Sequence, residues 1–112
     1  MVVSARGPEL DADGHLADAS EWSPALADAF AADAEIRLTP DHHAVIHAVR
    51  AFHTETGLAP PMRPLVRLVR ERLGPRLGSS IALMRLFPSH RPNGTPRSVA
   101  RIAGLPCPEG CR

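Results

Sequence analysis

Apolar residues along the chain fall into short runs at helical spacing, divided by proline and glycine. No segment keeps the sustained alternation of apolar and polar positions that a sheet needs. The first helix is predicted after Trp22: Ser23 suits the N-cap, Pro24 suits the first helical position, and Leu26, Ala27, Phe30 and Ala31 repeat through about Ala34. Trp22, just before the cap, is placed to fold back on this helix as a staple. Thr39, Pro40 and Asp41 repeat the start signal for a second, central helix. Its buried stripe is Val45, Ile46, Val49 and Phe52, and Gly57 ends it where a left-handed backbone costs little.

Pro60 and Pro61 break the chain before a third helix carrying Met62, Leu65, Val66, Leu68, Val69 and Leu73, closed by Gly74 and Pro75. Ser79 or Ser80 caps a short fourth helix with Ile81, Leu83, Met84, Leu86 and Phe87. Pro88 and the polar stretch 89–94 then form a loop. Thr95 as cap and Pro96 as first residue announce a last helix over roughly residues 97–103, which Gly104 closes. Residues 105–112 hold two prolines and a glycine and cannot continue it, so they are expected to run as an extended C-terminal arm. Near the other end, Asp11-Ala-Asp-Gly-His-Leu16 carries turn residues for a small hairpin or an irregular loop. Its acids lack the EF-hand spacing and closing Glu, so it reads as a turn and not as a calcium loop.

The expected fold is mainly α: a small orthogonal helical domain, with residues 1–112 forming one unit. A chain of 112 residues and 12.0 kDa supports one core and not two. No apolar run approaches the roughly 20 residues of a membrane-spanning helix. The first ten residues lack the charged start and long apolar middle of a secretory signal, so a cytoplasmic protein is expected.

Charge changes the picture more than composition does. Residues 1–41 hold nine acids against Arg6 and Arg37, a balance of −7, while residues 42–112 hold eleven arginines against Glu55, Glu71 and Glu109, a balance of +8. Pairing of the two halves within the molecule is one reading; a basic docking face is the other. Arg63, Arg67 and Arg70 line one side of the third helix. Every basic side chain is Arg, so Schiff-base chemistry through lysine is excluded.

Candidate chemistry concentrates at the C-terminus. The chain has two cysteines, Cys107 and Cys111, too few and too terminal for a disulfide framework. Cys111, penultimate and preceded by Pro108, Glu109 and Gly110, sits at the tip of a semi-rigid tail able to enter a partner's cleft. A thiol there accepts a sulfane sulfur, holds it as a persulfide and passes it on without a general base of its own. An inert exposed cysteine is the plain alternative. Cys107 lies four residues earlier, which is not the Cys-x-x-Cys redox spacing; an internal disulfide or resolution of an oxidised Cys111 are its open roles.

His43 and His47 have an i, i+4 spacing that holds a metal only if a third ligand arrives, and the His-Glu-x-x-His signature is absent. His42 and His53 fall near the core stripe as packing histidines, whereas His15 and His90 fall in loops. No phosphate loop, carboxylate pair or serine triad can be assembled. No cofactor and no metal are called for. With no Tyr, three Phe and one Trp, direct contact with nucleic acid is not expected.

The tail from Arg101 to Arg112, Arg-Ile-Ala-Gly-Leu-Pro-Cys-Pro-Glu-Gly-Cys-Arg, resembles the ending of the DsrC/TusE family of sulfur-carrier proteins. Asp13-Gly14-His15-Leu16, Trp22, Leu38-Thr39-Pro40-Asp41-His42, Val45-Ile46, Arg50, Pro61-Met62-Arg63 and Leu86-Phe87-Pro88 follow in the family's order. The resemblance implies a helical fold with a short N-terminal β-hairpin and a mobile arm over residues 105–112. It implies a carrier that takes persulfide sulfur on Cys111, with Arg50 and Arg63, and more weakly Cys107, supporting the arm or its thiolate. In the TusE branch the donor is the TusBCD complex and the acceptor the thiouridylase MnmA, for tRNA 2-thiouridine. In the DsrC branch the partner is dissimilatory sulfite reductase, and a second cysteine lies eleven positions before the last one. That position is Ala100 here, which favours single-cysteine transfer. His43 replaces the family's usual Trp, His53 its usual aromatic residue, and Cys107 its usual Lys.

These residues support a sulfur relay acting with partner proteins. A non-catalytic binding protein on the same scaffold, and a local redox pair of Cys107 and Cys111, are the competing readings.

Overall fold

A computed structural model describes residues 9–89 and 94–108. Along them, a 3-10 turn at Ala19–Glu21 precedes α1 (Pro24–Asp33), α2 (Pro40–Thr56), α3 (Met62–Leu73), α4 (Ser80–Leu86) and α5 (Gly94–Ile102). Three helix starts follow the sequence signals. Ser23 Oγ accepts the Leu26 amide at 3.2 Å, Thr39 Oγ1 the His42 amide at 3.4 Å, and Ser79 Oγ the Ala82 amide at 3.1 Å. Each satisfies one of the amides a helix start leaves unpaired.

The start of α2 is more elaborate than a Thr cap. His42 completes a capping box, its Nδ1 accepting the Thr39 amide at 3.0 Å. Its Nε2–H donates to the Leu86 carbonyl at 2.6 Å, and its ring meets Phe87 edge-on. One packing histidine therefore caps α2 and ties down the end of α4.

The helices cross about a shared core. α2 packs on α3, α1 on α5, and α5 also touches α2 and α3. Val45, Ile46 and Val49 of α2, Leu65 and Val69 of α3, Leu83 of α4 and Val99 and Ile102 of α5 are buried within it, together with Phe87 and Leu105. Burial of side chains of this size stabilises by about 1.5–3 kcal/mol each before entropy is counted.

Two expectations need correction, and two residues do more than their sequence signal predicts. No strand forms among the described residues, so the expected N-terminal hairpin is not found there; Leu10 and Leu16 make one isolated antiparallel bridge. The reason is local: the Asp11 carboxylate accepts the amides of Asp13 and His15, which folds the segment into a turn, and Leu10 is exposed and supplies no apolar face. The last helix begins at Gly94, not after Thr95. Thr95 is buried inside it, and its hydroxyl donates to the Phe87 carbonyl at 3.0 Å, tying the helix to the end of α4. His15 lies in a loop as expected, yet it is fully buried. Trp22 sends its indole N–H to the distant α5 instead of serving only as a staple for α1.

Candidate functional site

The site is built around the end of α5, where the chain turns toward its C-terminal segment. A helix end leaves its last carbonyls without partners. Here Gly104, at φ +76°, reverses the backbone; its amide bonds the Arg101 carbonyl at 3.2 Å and the Leu105 amide the Ala100 carbonyl at 2.8 Å. These crossed bonds form a Schellman motif.

Three side chains then take carbonyls at this end. Trp22 Nε1–H donates to Ile102 at 2.9 Å, Arg50 Nη1 to Ala103 at 2.7 Å, and His15 Nδ1–H to Leu105 at 2.9 Å. A carbonyl only accepts, so Nδ1 of His15 carries the proton. The donors come from the segment before α1, from α2 and from the N-terminal loop, so three remote parts of the chain converge on four residues.

They also brace one another. The Arg50 guanidinium lies 4.4 Å from the centre of the Trp22 ring and gives its Nη2–H to the Ala19 carbonyl at 3.3 Å. Burial pulls its pKa below the usual arginine value, although a guanidinium remains charged. The indole lies flush on Gly104, where an added Cβ would stand 2.4 Å from Trp22 Cδ1. Beside this clamp, Arg101 Nε donates to the Gly14 carbonyl at 3.2 Å, and Arg101 Nη1 pairs with Asp33 at 2.8 Å. The N-terminal loop is thereby pinned to α5. The other nitrogen of His15, Nε2, is buried with no hydrogen-bond partner.

Beyond Leu105 the segment lies between two grooves. Pro106 and Cys107 line an apolar one of about 420 Å³ with Phe52, Leu58, Pro60 and Pro64; on its other side Pro106 meets His53, Asp11 and Leu16 around a space of about 610 Å³. Cys107 is half-buried and disulfide-bonded.

Of the residues singled out from sequence, Arg50 comes to the root of this segment and Cys107 lies just past it. Arg63 is exposed near the start of α3 and makes no hydrogen bond or ion pair among the described residues. Cys111 and His90 lie outside the described residues. Among the described residues no group of three or more His, Cys, Asp and Glu side chains stands close enough to hold a metal. His15 and Trp22 were visible as members of an ordered motif set, but their roles were not. Their partners stand 90 and 80 residues away in the chain.

Comparison with known proteins converges on one family. The family model described as DsrC like protein matches residues 2–112. The chain is 35% identical to the sulfurtransferase TusE of Escherichia coli K12 over 111 residues, covering 99% of this chain and 98% of that one. It is 39% identical to TusE of Yersinia pseudotuberculosis over 111 residues, 99% of each chain. Among solved structures, DsrC of Allochromatium vinosum superposes with a TM-score of 0.79 at 35% identity, over 92% of this chain and 88% of that one. The oxidised γ-subunit of dissimilatory sulfite reductase (DsrC) from Archaeoglobus fulgidus gives 0.76 at 35% identity, over 94% and 92%. With a part-buried clamp holding the end of its last helix and a cysteine-bearing tail beyond it, the chain belongs to the DsrC-like family.

Proposed function

We propose that this protein is a sulfur relay of the TusE type, with Cys111 as the residue that carries the sulfur. The observation that supports the reading is the clamp at the end of α5: three body side chains fix the carbonyls of Ile102, Ala103 and Leu105 immediately before a Pro-Cys-Pro step. Residues 105–112 then act as the arm of a single 1–112 unit. Cys111 stands three residues past Pro108, a reach of roughly 10 Å at extended-chain length. A thiol on so short a tether stays near the body that a partner recognises, yet it can enter that partner's cleft.

The chemistry is two successive exchanges. The Cys111 thiolate attacks the outer sulfur of a donor persulfide; a new S–S bond forms, and the donor thiolate leaves with the electron pair of the broken bond. An acceptor thiolate then attacks the outer sulfur now on Cys111, and the Cys111 thiolate departs. No oxidant or reductant is consumed. Arg50 holds the base of the arm, and Arg63 offers positive charge on the surface to an anionic thiolate or persulfide.

The partners in this reading are a TusBCD-like donor and an MnmA-like acceptor, with the sulfur bound for tRNA 2-thiouridine in the cytoplasm. Ala100, at the place of the second cysteine of the sulfite reductase branch, favours this destination over dissimilatory sulfur metabolism. No described helix is long and apolar enough to cross a membrane.

Incubation of the reduced protein with a persulfide donor, followed by intact-mass measurement, is expected to add one sulfur, about 32 Da, at Cys111. Cys111→Ser abolishes the adduct with the fold intact, and Cys107→Ser retains it. An adduct absent from Cys111 in the reduced protein overturns the proposal. One observation favours a second reading: Cys107 is disulfide-bonded. In that reading Cys107 and Cys111 cycle as a redox pair, and Cys107→Ser abolishes function as completely as Cys111→Ser.

A further inference from the structure

We propose that His15 is a positioning residue for the arm: its Nδ1–H bond to the Leu105 carbonyl sets the direction in which residues 106–108 leave the body. The inference rests on the reading that the arm carries sulfur, but its structural claim is tested without sulfur transfer.

An imidazole brought wholly out of water must have its polar atoms satisfied, and an unmet buried nitrogen is destabilising. His15 is fully buried, and only one of its nitrogens has a partner. For filling space alone an apolar ring serves better at this position. What an apolar ring cannot do is donate to Leu105, the last residue before Pro106. The neighbouring carbonyls already have donors in Trp22 and Arg50, and neither bond reaches past Ala103. His15 therefore makes the outermost of the three bonds.

Its own position is fixed from several sides. The Asp11 carboxylate accepts the His15 amide at 3.0 Å, and the Asp11 amide bonds the His15 carbonyl at 2.7 Å. Arg101 holds the adjacent Gly14 carbonyl at 3.2 Å, and Arg97 Nη2 reaches the Asp13 carbonyl at 3.5 Å. The ring is thus mounted on a loop that α5 itself holds in place. Because Pro106 and Pro108 restrict the backbone beyond the bond, a fixed orientation at Leu105 carries as far as Pro108. The carbonyl also selects the tautomer, leaving Nε2 bare.

Two substitutions separate donor from volume. His15→Phe keeps the ring and removes the donor; His15→Asn removes ring volume but offers an amide N–H near the place of Nδ1. In the reduced full-length protein, His15→Phe is expected to raise both Leu105 amide exchange and Cys111 alkylation by iodoacetamide about threefold to tenfold, the range one hydrogen bond spans. His15→Asn is expected to stay near wild type in both rates despite a lower melting temperature. Long-range proton–nitrogen correlation spectra of the wild type are expected to show Nδ1 protonated and Nε2 bare. The proposal is overturned by an Nε2-protonated ring, by wild-type rates in His15→Phe, or by rates that follow melting temperature across the two variants. A His15→Phe chain that does not fold leaves the wild-type spectrum and His15→Asn to decide. Unchanged persulfide loading beside altered exchange keeps the positioning role and counts only against its use in relay.

Discussion

Gly104 and Trp22 show how tightly single residues are specified at the base of the arm. Gly104→Ala places a methyl 2.4 Å from an indole that is itself hydrogen-bonded, at a φ of +76° that L residues rarely adopt. We expect it to destabilise the fold by about 2–3 kcal/mol, read as a fall in the urea midpoint. Trp22→Phe keeps most of the ring but leaves the Ile102 carbonyl without its donor and weakens the contact with Arg50. A loss of about 1–2 kcal/mol in the same assay is expected. The sequence marks these residues as members of an ordered set and Gly104 as a helix stop. It does not reveal that the glycine must be bare because an indole 82 positions earlier lies against it.

Among the elements, the start of α2 joins stability to pH. Arg76 binds both carboxylate oxygens of Asp41, at 3.0 and 3.1 Å, and this bond holds the Asp41 pKa below its ordinary 3.8. A depressed folded-state pKa contributes stability that is complete above the unfolded value and disappears as pH falls through the folded one. The difference in urea midpoint between wild type and Asp41→Asn should therefore be steady near pH 6 and shrink as pH drops from about 4 toward 2. Asp18, lowered by its bonds from Ser20, titrates in the same direction. His42→Ala removes the second half of the capping box, the tie to Leu86 and the ring against Phe87 together. A cost of about 2–4 kcal/mol is expected by urea denaturation, above that of an ordinary cap. The caps Ser23, Thr39 and Ser79 were legible because capping is local chemistry. Thr95 departs from its cap signal for the same reason: its hydroxyl serves the Phe87 carbonyl at the end of α4, and no local pattern distinguishes the two uses.

At the scale of the molecule, the proposed relay requires that Cys111 be a reactive thiol while the body stays folded. Since Cys107 is disulfide-bonded, we expect unreduced protein to resist persulfide loading, with Cys107→Ser loading without prior reductant. Intact-mass measurement with and without reductant checks both. The two halves of opposite charge do meet, through Asp33 with Arg101 and Asp41 with Arg76, so part of that asymmetry closes the fold. Arg63 and Arg67 stay exposed on α3, outside those pairs. The sequence alone determined the helical class, the starts of α1, α2 and α4, and the family through its ordered motifs and tail. Periodicity, caps and proline placement act over a few residues, and a chain carries them without being folded. Tertiary structure decided what holds the end of α5. His15, Trp22 and Arg50 meet the carbonyls of Leu105, Ile102 and Ala103 from 53 to 90 residues away, and only packing of the N-terminal loop and α2 on α5 brings them there.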